Sequence, residues 1–166
     1  MFRHLLLLVI AGLSLAACEP ATKAPQPDSP DKALRIVSLA PNLTELAYQA
    51  GAGEQLIAAV EYSDYPEVAK DLPRIGDSFR IDFELLRQLN PDLILVWESG
   101  NPLAMQERLR EMGFNLLVLE PQTLDDVAAH LRLIGQVAGT QTVAESAAEE
   151  YLAELDDIWQ RYSAVP

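Results

Sequence analysis

Leu89-Asn90-Pro91-Asp92 runs into Leu93-Ile94-Leu95-Val96-Trp97, and this stretch decides the fold. The five residues after Asp92 are all apolar, with no alternation of polar and apolar positions. A strand of that composition is buried on both faces, as strands of parallel sheets are when helices cover each side. The segment before it supports the same reading. Asp82 suits the N-cap of a helix over 83–89 whose Phe83, Leu86 and Leu89 share one side, and Pro91 ends that helix.

The same alternation continues in both directions. Upstream, Arg35-Ile36-Val37-Ser38-Leu39 is a β-branched run bounded by Pro41. Residues 42–50 then read as a short helix, with Asn42 as N-cap and Gly51 as stop signal. Residues 56–60 form a second strand, and Pro66 opens a brief helical turn through Lys70. Downstream, Asn101 and Pro102 fit the N-cap and N1 positions of a helix with Met105, Leu109 and Met112 on its core face and Gly113 at its end. Leu116-Leu117-Val118-Leu119 is the fourth strand. Thr123 and Asp126 resemble a capping box with Asp in place of Glu. They open a helix to about Ala138, with Leu124, Val127, Leu131 and Ile134 inward and Gly139 stopping it. The order β-α-β-α-β-α-β-α predicts an α/β fold, a Rossmann-like parallel sheet with helices on both faces and right-handed crossovers. A longer helix over 142–162 follows, striped by Tyr151, Leu155, Ile158 and Tyr162, with Leu152 and Trp159 beside them.

The first residues point to export. Arg3 and His4 precede an apolar run from Leu5 to Ala17, shorter than the roughly 20 residues a membrane-spanning helix needs and fitting a signal peptide over 1–17. The run ends in Leu15-Ala16-Ala17-Cys18, which resembles a lipobox whose cysteine takes the lipid. A plain signal peptide cut at an A-x-A-like site, with Cys18 incidental, is the alternative. Cys18 is the chain's single cysteine, so an internal disulfide is excluded and lipidation gives the leftover thiol a use. Residues 18–33 are rich in Pro, Ala and polar side chains and read as a tether. The remaining length allows one ordinary domain.

A net charge of −13 argues against nucleic-acid partners, whose phosphates it would repel. Catalytic signals are absent or out of context. His130 stands alone on a helix, no His/Cys zinc site is available, and Gly51-Ala52-Gly53 precedes a strand where a dinucleotide loop follows one. The sequence predicts a binding protein, not an enzyme, with no cofactor and no metal. In open parallel folds, ligands sit beyond the carboxyl ends of the strands. That rule selects the loops at 40–42, 61–65, 98–101 and 120–123. Tyr62, Tyr65 and Trp97 bring rigid aromatic surfaces with polar edges there, although core or rim packing accounts for such residues equally well.

Those loops together resemble one family. Ile36-Val37-Ser38-Leu39-Ala40-Pro41-Asn42, Thr44-Glu45, Glu61-Tyr62-Ser63-Asp64-Tyr65-Pro66, Leu89-Asn90-Pro91-Asp92-Leu93 and Val96-Trp97-Glu98-Ser99-Gly100-Asn101 are similar to the vitamin B12-binding branch of the substrate-binding proteins of bacterial ABC importers. The broader helical-backbone class also serves iron-siderophores and haem. The likeness covers about residues 34 to 163. It implies an N-terminal lobe over 34–140 and, over 141–166, the start of a helix that joins a second lobe, with the ligand between lobes. It implies a lipoprotein at the periplasm or cell surface that hands cobalamin or a related corrinoid to ABC permease subunits. Tyr62 and Trp97 would touch the corrinoid. Phe79 follows Ser78 where the family can carry a second ligand-facing tryptophan, so Phe79 substitutes for it or that contact is lost. Glu84 would dock on an arginine of the permease; favouring the positive end of its own helix is the alternative role. The second lobe is not encoded here, so the chain is expected to be truncated. The alternatives to a corrinoid carrier are an iron-siderophore or haem carrier and a one-lobe lipoprotein adaptor without a small-molecule ligand.

Overall fold

The structure is a computed structural model that describes residues 33–163. The expected signal peptide, Cys18 and all but the last residue of the expected tether lie outside the described residues. Four strands, β1 (Ile36–Ser38), β2 (Leu56–Ala59), β3 (Leu93–Trp97) and β4 (Leu116–Leu119), form one parallel sheet in the order β2-β1-β3-β4. Among the described residues, five α-helices accompany them: α1 (Pro41–Gln49), α2 (Phe83–Leu89), α3 (Leu103–Glu111), α4 (Asp125–Ala138) and α5 (Gln141–Tyr162).

The all-apolar β3 lies inside the sheet, paired with β1 through Ile94↔Val37 and with β4 through Leu95↔Leu117. Its side chains feed two cores in alternation, as the pleat requires. Leu95 packs with Ile36 and Leu119 under α1, α4 and α5, while Ile94 and Val96 pack with Val37 and Leu39 under α2 and α3. Both faces are therefore covered. Chain direction across the sheet reverses once: β1 steps outward to β2, and β3 steps the opposite way to β4. The helix of the first crossover lies on one face and those of the later two on the other, which keeps one handedness throughout.

α4 and α5 form an antiparallel hairpin. Gly135 allows their close approach, since a Cβ there would lie 2.2 Å from that of Ala144. Leu131 and Ile134 are fully buried beneath, each worth roughly 1.5–3 kcal/mol of apolar burial. Gly139, at φ 74°, ends α4 in the left-handed conformation that favours glycine.

Several local expectations need correction. Pro41, not Asn42, begins α1; proline's fixed φ and missing N–H suit the first helical position, so the cap falls on Ala40, which has no capping side chain. α3 begins at Leu103, one residue later than the sequence suggests, and Asn101 does not cap it. Asp126 makes only the backward half of the expected box: its carboxylate accepts the N–H groups of Gln122 and Thr123, each at 2.8 Å. Leu124 is 63% exposed, not inward. It shares the angular stripe of Ala128 and Leu131 but stands at the N-cap, before the first helical residue, and borders an open groove with Leu152 and Leu155 of α5. Met112 is half-buried, and Gln106 takes the interior place beside Met105 and Leu109.

Candidate functional site

The chain direction reverses between β1 and β3, and the carboxyl ends of the strands at such a reversal are the usual ligand position in open parallel sheets. Three loops lie at this end of the sheet, and each carries an aromatic residue.

Tyr62 lies beyond β2 and is 80% exposed. Its φ of 67° falls in the left-handed region, a conformation that costs a residue with a side chain of order 1 kcal/mol. The loop is held from several sides. Glu61 N–H donates to Gly76 O at 2.8 Å, and Arg74 Nη2 donates to Ser63 O at 2.9 Å. The buried hydroxyls of Ser63 and Thr44 lie 3.1 Å apart. Tyr65, 65% exposed, extends the same surface.

Phe79 sits at the tip of a closed turn. Gly76 and Ile81 form a bridge, and Asp77 Oδ1 accepts the N–H groups of Phe79 and Arg80, both at 2.8 Å. Those two bonds hold the Asp77 carboxyl below its ordinary range. With its backbone turned inward, the Phe79 ring is left 69% exposed.

Trp97 ends β3 and differs from the other two. Its ring is partly buried against the core under α1 and α4 and lies over Gly100, where a Cβ would come within 2.0 Å of it. Its Nε1 is buried without a protein partner. Ser99 ties this loop to the end of β4, its N–H and hydroxyl donating to the Glu120 carboxylate at 2.9 and 3.0 Å.

The topology thus brings the loops of Tyr62, Phe79 and Trp97 to one end of the sheet. Glu84 is elsewhere, exposed on the first turn of α2, where Asp82 caps the helix through the N–H groups of Glu84 and Leu85. Of the residues that hold these loops, Thr44, Ser63 and Asn101 stand within the stretches that carry the resemblance but had no role read for them in holding the loops, and Arg74 stands outside those stretches. A helix-cap preference was the competing signal at Asn101. Among the described residues, no group of three or more His, Cys, Asp or Glu could hold a metal ion, and no helix is long and apolar enough to cross a membrane.

An open parallel sheet with aromatic loops at its switch point is the architecture of a ligand-binding protein, and the sequence places it in a class. Residues 36–165 match the family described as periplasmic binding protein. The chain belongs to that family, which is a binding family and not an enzyme class. It is similar to the vitamin B12-binding protein of Vibrio cholerae serotype O1, with 38% identity over 135 residues that cover 81% of this chain and 49% of that protein. The crystal structure of the periplasmic vitamin B12-binding protein BtuF of Vibrio cholerae superposes with a TM-score of 0.75 at 38% identity, over 78% of this chain and 51% of that one. The periplasmic haem-binding protein RhuT of Roseiflexus sp. RS-1, in apo form, gives a TM-score of 0.70 at 30% identity over 81% and 53% of the two chains. The chain spans about half the length of the curated relatives it matches.

Proposed function

We propose that this chain is the ligand-capturing N-terminal lobe of an extracytoplasmic substrate-binding lipoprotein that delivers cobalamin or a related corrinoid to an ABC permease. The observation that carries the reading is the placement of the loops of Tyr62, Phe79 and Trp97 at the carboxyl end of a parallel sheet in a chain of the periplasmic binding protein family. A corrin ring is broad and flat, and exposed aromatic faces suit it. The periphery of cobalamin carries amides, whereas haem carries propionates and many siderophores are anionic. Glu61, Asp64, Asp77, Glu98 and Glu120 lie on or beside the same loops, and Arg74 already pairs with Asp64. That surface repels an anion more than it repels an amide-rimmed ring.

In this reading Cys18 carries the lipid, residues 18–33 are the tether and residues 34–140 the lobe. Helix α5 begins the connection to a second lobe. The exposed Ile158, Trp159 and Tyr162 border a groove of about 600 Å³ with Leu124, Leu152 and Leu155, a face suited to further protein. Glu84 projects from α2 and serves docking to a permease arginine. Titration of the chain with cyanocobalamin, haemin and a ferric siderophore tests the ligand. Preferential binding of cyanocobalamin supports the proposal. Preference for haemin moves the chain to the haem carriers, and binding of none favours an adaptor.

A further inference from the structure

We infer that Gly100 and Asn101 form a positioning device that holds Trp97 and the Phe79 turn as one rigid ligand-facing unit. The inference rests on the ligand site proposed above and deepens it. Asn101 is 2% exposed. Its Oδ1 accepts the Trp97 N–H at 2.8 Å, and its Nδ2 donates to Leu39 O and to Ser78 O, each at 2.9 Å. One amide therefore bridges the end of β1 and the end of β3 and reaches the residue before Phe79. Every proton it can donate is used, so the bracket fixes direction as well as distance. The Asn101 N–H closes the same turn by donating to Trp97 O at 2.9 Å. Gln106, 3% exposed, supports it from α3, its Nε2 donating to Asn101 O and Glu98 O at 2.9 Å.

Gly100 acts on the ring where Asn101 acts on the main chain. A Cβ at residue 100 would meet indole atoms at 2.0, 2.4 and 2.6 Å. Any other residue would push the ring off this seat. The turn that carries Phe79 is short and internally bonded, yet only the Asn101–Ser78 bond links its tip to the β3 loop among the hydrogen bonds described. A site whose walls come from separate loops needs such a link, because a displacement of about 1 Å is enough to lose a ligand contact.

The test uses the full chain with Trp159→Phe, which leaves Trp97 as the single tryptophan of two. Without ligand, Asn101→Ala and Gly100→Ala should each red-shift Trp97 emission and raise its quenching by acrylamide, at a temperature where circular dichroism shows a folded protein. With cyanocobalamin in equilibrium dialysis, Asn101→Ala should weaken binding about tenfold, roughly 1.4 kcal/mol. Phe79→Ala should cost far less in the Asn101→Ala background than alone, because the turn is already released. Unchanged emission in both variants, or fully additive affinity losses, would overturn the inference. If Asn101→Ala does not fold, Asn101→Asp, which keeps the Oδ1 acceptor and removes both amide donors, takes its place in the same cycle with Phe79→Ala. If Trp97→Ala and Phe79→Ala leave affinity untouched in the otherwise unaltered protein, the ligand site fails, and the emission data still decide the positioning role.

Discussion

Replacing Thr44 with valine should loosen the Tyr62 loop by a mechanism the structure specifies. Thr44 is fully buried and Ser63 is 1% exposed. Thr44 Oγ1 lies 3.2 Å from Ala40 O and 3.1 Å from Ser63 Oγ. One hydroxyl proton serves only one of these acceptors, so the proton of Ser63 completes the pair. Thr44→Val keeps the volume and nearly the same helix propensity. What it removes is the partner of a hydroxyl that water does not reach, a loss of roughly 1–3 kcal/mol. For a domain of this size that lowers the thermal midpoint by roughly 3–12 °C. Thermal unfolding followed by circular dichroism measures it. The double variant Thr44→Val/Ser63→Ala should recover much of the loss, since removing both partners leaves no orphaned group. A single variant within about 0.5 kcal/mol of the original, or a double variant less stable than the single, would refute the reasoning.

Three further outcomes follow from other parts of the chain. Cys18→Ser should abolish lipidation, read by mass spectrometry of the membrane fraction; a mature unsubstituted protein beginning elsewhere than Cys18 would contradict this. Glu84→Ala should weaken binding to the permease while leaving ligand affinity unchanged, measured with permease in nanodiscs; the reverse pattern would reverse the assignment. His130 has its pKa lowered from the ordinary 6.5, chiefly by burial, with Asp126 and Glu120 opposing. The folded protein therefore takes up this proton less readily than the unfolded chain. The stability contribution is complete above pH 6.5 and declines as pH falls toward the lowered value. His130→Gln should flatten the dependence of the urea midpoint between pH 7.5 and 5, and an unchanged slope would show that other groups set it.

The architecture was legible because composition alone marks a two-faced strand. Leu93 to Trp97 has no polar position, and that places it within a covered parallel sheet. Turn and cap chemistry supplied most boundaries: Asp82 does cap α2, and Gly113 and Gly139 adopt the left-handed conformation at helix ends. The failures were local competitions. Pro41 outranked Asn42 because ring geometry suits the first helical position better than a cap does. Leu124 fitted the stripe but stands before the first helical residue, since periodicity gives an angle and not the point where the helix begins. At the candidate site, the loops of Tyr62 and Trp97 were readable as residues after strands, whereas Phe79 entered only through the family resemblance. The hydrogen bonds that hold these loops were not readable, because Asn101 meets Ser78 and Leu39 across 23 and 62 residues of sequence. The half-buried seat of Trp97 on Gly100 is equally non-periodic.

Binding of a corrinoid at the carboxyl end of this sheet is tested by backbone amide spectra of the isotope-labelled full chain titrated with cyanocobalamin. Pockets typically bury 70–90% of a ligand's surface, while the described loops would cover only one side of a corrin. The expected result is a saturable shift of amides in 61–65, 76–80 and 97–101, with a Kd on the order of 0.1 mM or weaker, and at least tenfold weaker binding on Trp97→Ala. Shifts confined to α5, or none at millimolar ligand, would contradict such binding. Submicromolar affinity would show that the site is complete without a second wall.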